Sequence, residues 1–244
     1  MKMIGVIPAR WGSTRFEGKV LVDLLGKPVV QHVWERAKQS SLLEEIYIAC
    51  DDHRIATAAE KFKANVILTS KDCPSGTDRI AEAVKNIESD IVVNIQGDEP
   101  LIEPDLIDQV AQALIEHPDC SAATAINRIL YCEEIESPHV VKVVVDNDRH
   151  ALFFSRAIIP YRRDPDASEP FYYRHIGIYA YRRNFLFEYQ RLKPTMLEMT
   201  EKLEQLRILE HGYKMITIET AYDARGVDTP QDLQDLIVRL RTKT

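Results

Sequence analysis

The stretch Ile4-Gly-Val-Ile-Pro-Ala-Arg-Trp-Gly-Ser-Thr-Arg-Phe-Glu-Gly-Lys19 decides the fold of this chain. Its first residues form a short apolar, β-branched run that predicts a buried strand. A polar loop follows Pro8 and carries three cations, Arg10, Arg15 and Lys19. In α/β proteins the backbone N–H groups of a loop after the first strand can converge on an anion. The stretch therefore predicts an α/β fold with an anion site after the first strand.

This loop does not match either of two familiar phosphate-binding patterns. A P-loop has four residues between its glycine and the Gly-Lys-Ser/Thr triplet. Here five residues separate Gly12 from Gly18, and Val20 stands where the hydroxyl would be. The dinucleotide pattern G-x-G-x-x-G is also absent from the sequence. An anion site of another kind and a simple basic surface loop both stay open at this point.

Composition points to a small anionic partner. The chain has 31 Lys and Arg against 38 Asp and Glu residues, a net charge of −7, which disfavours non-specific nucleic-acid binding. The sequence shows no signal segment and no apolar run long enough to cross a bilayer, so we expect a cytoplasmic protein without a membrane partner. The widely spaced cysteines predict neither a zinc site nor a redox motif: Cys50, Cys73, Cys120 and Cys132.

Short apolar runs alternate with helical patterns in the first half of the chain. Strands are predicted at 46–50, 66–68 and 91–95, and helices at 52–61, 75–87 and 104–117. This order predicts a mostly parallel central sheet flanked by helices. After Ser121 the pattern is looser, with strands predicted at 140–145, 151–155, 176–181 and 214–218 and helices at 197–210 and 229–241. We expect one domain with an inserted region of about 50 residues.

Two carboxylates stand at turns where a ligand is expected. Asp98 follows the predicted strand 91–95, and ligands of open α/β sheets bind outside the carboxyl ends of the strands. Asp228 lies just before the last predicted helix. A carboxylate beside phosphate-binding cations suits Mg²⁺, which prefers oxygen ligands. The sequence leaves open that Asp98 only forms a turn and that Asp228 only caps the helix.

The segment Ser75-Gly-Thr-Asp-Arg79 opens a predicted helix with small polar residues. Such a helix start accepts an anion or the edge of a base. Ser75 or Thr77 is expected to cap the helix. Arg79 favours a binding role because a cation in the first turn opposes the helix dipole.

A second polar cluster follows in the looser region. His175 and Tyr179 share one face of a predicted strand by the period-two rule, and Arg156 follows another strand. With Glu204 and Gln205 they suit a substrate with one carboxylate and many hydroxyls, because a guanidinium binds a carboxylate well. Each could instead be solvated or internally paired. A solvated helix face is expected for three neighbouring residues, Glu198, Glu201 and Lys202.

Together these motifs resemble the 3-deoxy-manno-octulosonate cytidylyltransferase (CMP-Kdo synthetase) family over nearly the whole chain. The segments that carry the resemblance are Ile7-Pro-Ala-Arg-x-Gly-Ser-Thr-Arg-Phe16, Ala49-x-Asp-Asp52, Ser75-Gly-Thr-Asp-Arg79, Val93-Asn-Ile-Gln-Gly-Asp-Glu-Pro-Leu101, Ala151-Leu-Phe-Phe-Ser-Arg-x-x-Ile-Pro160, His175-Ile-Gly-Ile-Tyr-Ala-Tyr181, Leu203-Glu-Gln-Leu-Arg207 and Gly226-Val-Asp-Thr-Pro230. The opening loop is shared more widely among sugar-nucleotide transferases and therefore says less about the sugar.

The resemblance implies a glycosyltransferase-A-like nucleotidyltransferase fold and a homodimer. A nucleotide-binding part would cover about 1–130 and 200–244, and a sugar-binding and dimerisation part about 131–199. The implied reaction converts CTP and Kdo to CMP-Kdo and diphosphate with Mg²⁺, for lipopolysaccharide biosynthesis.

The resemblance also implies roles for individual residues. Residues around the nucleotide would be Ala9, Arg10, Ser13, Arg15, Lys19, Ser75, Gly76, Thr77, Arg79, Gln96 and Gly97. The sugar acid would be held by Gln96, Arg156, His175, Tyr179, Glu204 and Gln205. Catalysis would rest on Lys19, Arg15 and Asp98, and Mg²⁺ on Asp98 and Asp228.

The phosphate loop departs from the family pattern at two positions. Glu17 and Val20 stand where the family usually has proline, so we expect a more mobile loop before CTP binds. Glu17 is expected to point to solvent; a carboxylate turned toward the phosphates would weaken CTP binding. Two alternatives stay open: a cytidylyltransferase for another sugar acid, such as 8-amino-Kdo or sialic acid, and a nucleotide-binding homologue without catalysis.

Overall fold

A computed structural model describes residues 1–12, 16–164, 171–224 and 226–242. The chain divides into two compact units, one formed by Met1–Asp108 with Ala224–Thr244 and the other by Gln109–Asp223. The strands are β1 (Met3–Ala9), β2 (Asp23–Leu24), β3 (Lys27–Pro28), β4 (Glu45–Cys50), β5 (Asn65–Leu68), β6 (Ile91–Asn94), β7 (Ala122–Arg128), β8 (Lys142–Val145), β9 (Ala151–Ser155), β10 (Tyr173–Arg182) and β11 (Met215–Glu219). The helices are α1 (Val29–Ala37), α2 (His53–Lys61), α3 (Gly76–Ala83), α4 (Pro104–Glu116), α5 (Cys132–Glu136), α6 (Arg183–Tyr189), α7 (Met196–Glu201), α8 (Gln205–Glu210) and α9 (Pro230–Thr242), with a short 3-10 helix at Lys19–Leu21.

A parallel sheet forms the centre of the first unit. Its strands lie in the order β6-β1-β4-β5, and every neighbouring pair is parallel. Helices α1, α2 and α3 pack against these strands and bury their apolar faces. Parallel strands bring their carboxyl ends to one edge, so the residues that follow Ala9, Cys50 and Asn94 emerge together.

Close packing at this edge depends on one glycine. A Cβ atom on Gly97 would lie 2.8 Å from the carbonyl oxygen of Pro8, closer than real Cβ atoms approach backbone. Only glycine therefore lets the turn after β6 lie against the end of β1. This contact places Asp98 beside the loop that follows β1.

The second unit contains both parallel and antiparallel strand pairs. Strand β7 pairs with β11 in parallel and with β10 in antiparallel orientation. Strand β8 is antiparallel to both β9 and β10. The β10–β7 ladder has an irregularity between Ile176 and Tyr179, because Ile176 pairs with Ala125 and Tyr179 with the adjacent Thr124.

The predicted alternation of strands and helices in the first unit is confirmed, with ends shifted by a few residues. One helix prediction is wrong: the segment 197–210 contains two helices, α7 and α8, because Lys202 adopts a left-handed conformation with φ of 56°. The elements that the sequence did not predict are strands β2, β3 and β7, helices α1, α5 and α6, and the short 3-10 helix. Within the described residues, no helix has the length and apolarity needed to cross a membrane.

Candidate active site

Lys19, Asp98 and Asp228 meet in the first unit although they are far apart in sequence. The Nζ atom of Lys19 donates to Asp228 Oδ1 at 2.7 Å and also to Asp98 Oδ2. Lys19 begins the 3-10 helix, Asp98 follows β6, and Asp228 precedes α9. The carboxylates of the two predicted metal ligands therefore bind the same ammonium group.

Backbone contacts explain why Asp228 reaches Asp98. The N–H of Val227 donates to the carbonyl oxygen of Asp98 at 2.8 Å. Val227 is fully buried in an apolar cluster with Leu24 and Leu233 of α9, among others. The neighbour of Asp228 is thus fixed both by a hydrogen bond and by packing, which leaves the carboxylate directed at Lys19.

The alternative that Asp228 merely caps α9 is not supported. Thr229 occupies the cap position, since its Oγ1 accepts from the N–H of Asp232 at 3.2 Å. The Asp232 carboxylate in turn accepts from the N–H groups of Asp228 at 3.0 Å and Thr229 at 2.7 Å. This reciprocal arrangement is a capping box, and it leaves the Asp228 carboxylate outside the helix cap.

The cluster carries one positive and two negative charges. Burial lowers the pKa of Lys19, but the carboxylates of Asp98 and Asp228 outweigh burial, and the net effect raises the pKa above its ordinary value. Lys19 therefore stays charged and partly neutralises the pair. Two carboxylates that share one cation are also a donor set of the kind that Mg²⁺ prefers, so these residues fit that ion.

The start of α3 shows which predicted residues bind internally. Ser75 is the N-cap, and its Oγ accepts from the N–H of Asp78 at 3.1 Å. Arg79 is only 4% exposed and donates from Nη2 to Asp51 at 3.0 Å and from Nη1 to Thr69 Oγ1 at 2.6 Å. These internal hydrogen bonds occupy most of the Arg79 guanidinium. Thr77, the other candidate cap, is buried.

Asp51 is a residue whose importance the sequence reasoning missed. Its Oδ1 accepts from the N–H of Trp11 at 2.9 Å while its Oδ2 binds Arg79, so it joins the loop after β1 to α3. A cavity of about 300 Å³ opens here, and its lining includes Arg10, Gly12 and Cys73 as well as these three residues. The signal was present in the Ala49-x-Asp-Asp52 motif, whose first acidic residue follows β4 directly.

The remaining predicted nucleotide residues lie along the same strand ends. Ala9 is buried at the end of β1, and the Gln96 amide donates to Asn94 Oδ1 at 3.3 Å. Gly76 opens α3. Ser13 and Arg15 lie outside the described residues.

Glu17 does not simply point to solvent. It is exposed, but its Oε1 accepts from Nε1 of Trp11 at 2.7 Å. The Trp11 ring lies between this end of the loop and Arg54, whose guanidinium carbon is 3.5 Å from the ring centroid. Gly18 has φ of 65°, and a Cβ there would lie 2.9 Å from the Trp11 ring. Val20, the other departure from the family pattern, is buried.

His175 and Tyr179 lie together in the second unit, as predicted. The ladder irregularity contains two extra residues on β10, an even number, so both side chains keep to one face. Their ring centroids are 5.2 Å apart, and Phe154 contacts the imidazole edge-on at 5.1 Å. Thr124, which the sequence reasoning missed, secures the irregular turn: its hydroxyl donates to the carbonyl oxygen of Ile178 at 2.7 Å.

Both side chains are neutral in this setting. Burial lowers the pKa of His175 to about 3, although the ring keeps partial contact with solvent. Its Nε2 lies 2.9 Å from Thr124 Oγ1, and because that hydroxyl donates elsewhere, we assign the imidazole proton to Nε2. Burial, followed by the charge of Glu204, raises the pKa of Tyr179 well above its ordinary value.

Arg156 follows β9 and is held by the end of α7. Its Nε donates to the carbonyl oxygen of Glu201 at 2.8 Å and its N–H to the Glu201 carboxylate at 2.9 Å. The expectation of a solvated face for Glu198 and Glu201 is wrong. Glu198 binds Arg207, and Glu201 binds the chain at Arg156. Lys202 is exposed, as expected.

The other predicted sugar residues are distributed as follows. Glu204 precedes α8, and the buried Gln205 begins it. Glu204 is close enough to Tyr179 for its charge to affect the phenol. Gln96 belongs to the first unit, at the end of β6.

Comparisons with known proteins agree with the motif pattern. Residues 4–218 match the cytidylyltransferase family. A 3-deoxy-manno-octulosonate cytidylyltransferase of Geotalea uraniireducens (strain Rf4) is 47% identical over 99% of this chain and 100% of its own. The mitochondrial protein of that name from Arabidopsis thaliana is 46% identical, over 99% of this chain and 84% of its own.

A solved structure of a related protein has the same fold. The structure of a CMP:2-keto-3-deoxy-manno-octonic acid synthetase complexed with CTP is 42% identical and superposes over 100% of both chains with a TM-score of 0.96. The predicted fold class, a mostly parallel sheet flanked by helices of the nucleotidyltransferase type, is thereby confirmed. The identity and coverage together show that the chain belongs to the 3-deoxy-manno-octulosonate cytidylyltransferase family.

Proposed function

We propose that this protein transfers a cytidylyl group from CTP to Kdo, giving CMP-Kdo and diphosphate, in a reaction that depends on Mg²⁺. The observation that carries the proposal is the convergence of Lys19, Asp98 and Asp228 at the carboxyl edge of a parallel sheet. Full-length relatives that bear the name of this activity support the choice of substrates. Activated Kdo of this kind would serve lipopolysaccharide biosynthesis.

The first unit would bind the nucleotide. Asp98 and Asp228 would hold Mg²⁺, because both are carboxylates that already share one cation. The bound ion would offset negative charge on the triphosphate and polarise the α-phosphate. Lys19 and Arg15 would stabilise the charge that develops on departing diphosphate. Arg10 would add a further cation beside the phosphates.

The second unit would bind the sugar acid. Arg156 would receive the carboxylate, since a guanidinium can donate two parallel hydrogen bonds. The neutral His175 and Tyr179 would face hydroxyl groups, and Gln205 and Glu204 would complete the polar lining.

The chemical step needs little covalent work from the protein. The anomeric hydroxyl oxygen of Kdo attacks the α-phosphorus of CTP, the bond from that phosphorus to the bridging oxygen breaks, and diphosphate leaves with the electron pair. The hydroxyl proton is released to solvent. Binding the two substrates in line would supply most of the rate enhancement.

The alternative of a nucleotide-binding homologue without catalysis is not favoured. It rested on Glu17 disabling the phosphate loop, yet the Glu17 carboxylate accepts a hydrogen bond from Trp11. The homodimer and the cytoplasmic location that the sequence predicts stay part of the proposal, and light scattering on the purified protein measures the first.

Diphosphate release tests the function directly. The purified protein is assayed with CTP, Kdo and Mg²⁺, then with UTP in place of CTP, with 8-amino-Kdo or sialic acid in place of Kdo, and with EDTA in place of Mg²⁺. We expect turnover only with CTP, Kdo and Mg²⁺. Faster turnover with another sugar acid would replace Kdo in this proposal, and turnover in EDTA would remove the metal from it.

A further inference from the structure

Lys142 in β8 is a lysine with none of its surface exposed. Its ammonium donates three hydrogen bonds, to the carbonyl oxygens of Ser137 at 2.8 Å, Val140 at 2.7 Å and Arg156 at 2.7 Å. A neutral amine has too few N–H groups for three such bonds, so this geometry requires the charged form. Burying a charge is costly, and an apolar side chain would fill the space more cheaply if packing were the only need.

Arg156 is fixed on several sides by this arrangement. Its carbonyl oxygen accepts from Lys142, and its N–H donates to the Glu201 carboxylate at 2.9 Å. Its Nε donates to the Glu201 carbonyl oxygen at 2.8 Å and its Nη1 to that of Pro138 at 2.9 Å. No described residue accepts a hydrogen bond from Nη2 of Arg156, so that end of the guanidinium is available to a ligand.

The break between α7 and α8 makes this contact possible. In a continuous helix the carbonyl oxygen of Glu201 would accept from the N–H of Gln205. Lys202 adopts a left-handed conformation instead, and the N–H of Leu203 turns back to Glu198 at 3.3 Å. The carbonyl of Glu201 is therefore one of the unused acceptors at a helix end, and Arg156 binds it.

The charges of this group do not balance. Lys142 and Arg156 are cations, and among the described residues Glu201 is the one carboxylate that contacts this group, through the backbone N–H of Arg156, which leaves one net positive charge. Burial lowers the pKa of Lys142, and the nearby positive charge of Arg156 lowers it further. A bound carboxylate would offset the net positive charge.

We infer that Lys142 and Glu201 are positioning residues for sugar-acid binding, which hold Arg156 so that its free guanidinium end and the surplus positive charge meet the substrate carboxylate. The inference rests on the proposed function, because it takes a sugar acid as the ligand of Arg156. Neither residue touches the reacting atoms; both act through Arg156.

Lys142→Met is the first test, because methionine keeps the length of the side chain and removes the ammonium. We expect the KM for Kdo to rise at least about tenfold while the KM for CTP stays within about twofold. Lys214→Met is the matched control, since Lys214 is an exposed lysine of the same unit that pairs with Asp119. It should change neither KM.

Glu201 supplies a second test that does not depend on Lys142→Met folding. Glu201→Ala removes the acceptor of the Arg156 N–H and should raise the KM for Kdo about fivefold. Glu201→Gln keeps an acceptor there and should restore most of the loss. Glu198→Ala is the structural control on the same helix, because Glu198 binds Arg207. It should lower the melting temperature without a selective change in KM.

The outcomes separate this inference from the proposed function. If the wild-type protein does not release diphosphate with Kdo, the proposed function fails, and the inference, which depends on it, fails too. If the wild type turns over but folded Lys142→Met and Glu201→Ala leave the KM for Kdo within about twofold, or raise both KM values alike, only the inference fails. A selective rise in the KM for Kdo, reversed by Glu201→Gln, supports it.

Discussion

The cluster around Lys19 and the surroundings of Arg156 are built in opposite ways. In the first, side chains bind one another: one ammonium is shared by Asp98 and Asp228, and all three are partly exposed. In the second, side chains bind backbone: the carbonyl oxygens of other residues hold a fully buried lysine and part of the Arg156 guanidinium. Side-chain ion pairs at a partly exposed site can exchange partners when a ligand arrives, whereas backbone-bound cations are already ordered. We therefore expect the Lys19 cluster of the first unit to rearrange when a ligand binds, and the surroundings of Arg156 in the second unit to be ordered before binding.

Asp98→Asn gives the largest expected effect, because it breaks the exchangeable cluster. The amide keeps the shape but not the charge, and the backbone bond to Val227 does not depend on the side chain. We expect kcat to fall by about a hundredfold or more with little change in melting temperature. Asp119→Asn, at an exposed residue paired with Lys214, is the control for loss of a carboxylate. A fully active Asp98→Asn enzyme would remove Asp98 from the chemistry.

Arg156→Ala tests the preordered site around Arg156 in the second unit. The variant should raise the KM for Kdo at least about tenfold and leave the KM for CTP within about twofold. Arg182→Ala is a matched structural control, because Arg182 also donates to backbone carbonyl oxygens, those of Leu114, His117 and Cys120. It should lower stability without separating the two KM values. Equal effects of Arg156→Ala on both substrates would contradict the role assigned here.

Lowering the pH should reduce the stability of the folded protein, because His175 resists protonation in the folded state. Its pKa is about 3 in the folded protein against an ordinary value of 6.5, so the unfolded chain binds a proton first as pH falls. Stability is therefore complete above pH 6.5 and is lost between pH 6.5 and 3, by up to about 1.4 kcal/mol per pH unit. Urea unfolding across this range measures the slope.

The variant His175→Gln isolates this contribution. It should be less stable than the wild type at neutral pH, because the bond to Thr124 is altered, but its stability should fall less steeply with acid. His53→Gln, at an exposed histidine at the start of α2, is the control and should keep the wild-type slope. An unchanged slope in His175→Gln would show that this imidazole does not titrate within the range.

Sequence patterns predicted the first unit well because its strands and helices carry strong local signals. The strand β1 is a continuous apolar run, and α3 begins at a serine cap. Strand β7 was missed because its Ala-Ala-Thr-Ala sequence has little strand propensity; it is a strand because β10 and β11 pair with it on both sides. The break at Lys202 was missed because the apolar spacing of a helix continues through it.

The site was predicted to the extent that its residues follow strand ends. Asp98 lies in the turn that follows β6, so the edge of a parallel sheet already indicated its place. Lys142 and Glu201 could not be found this way, because β8 gives no sign that a lysine within it is buried, and an acidic residue on a short helix is usually solvated. The partners of Lys142 are backbone carbonyl oxygens, and Glu201 accepts from the N–H of Arg156 as well as from Ser155 Oγ; such backbone partners have no sequence signature.

Substitution of Glu17 has the smallest expected effect, and it tests whether the phosphate loop is held in place before CTP binds. If the carboxylate serves to hold Trp11, Glu17→Gln keeps an acceptor for the indole N–H and should leave the KM for CTP within about twofold, while Glu17→Ala should raise it about two- to threefold. If its charge instead repels the phosphates, both variants should lower the KM for CTP, most clearly at low ionic strength. Steady-state kinetics with CTP varied at saturating Kdo distinguishes the two, and a lower KM in Glu17→Gln would show that the loop is tuned by charge rather than by the bond to Trp11.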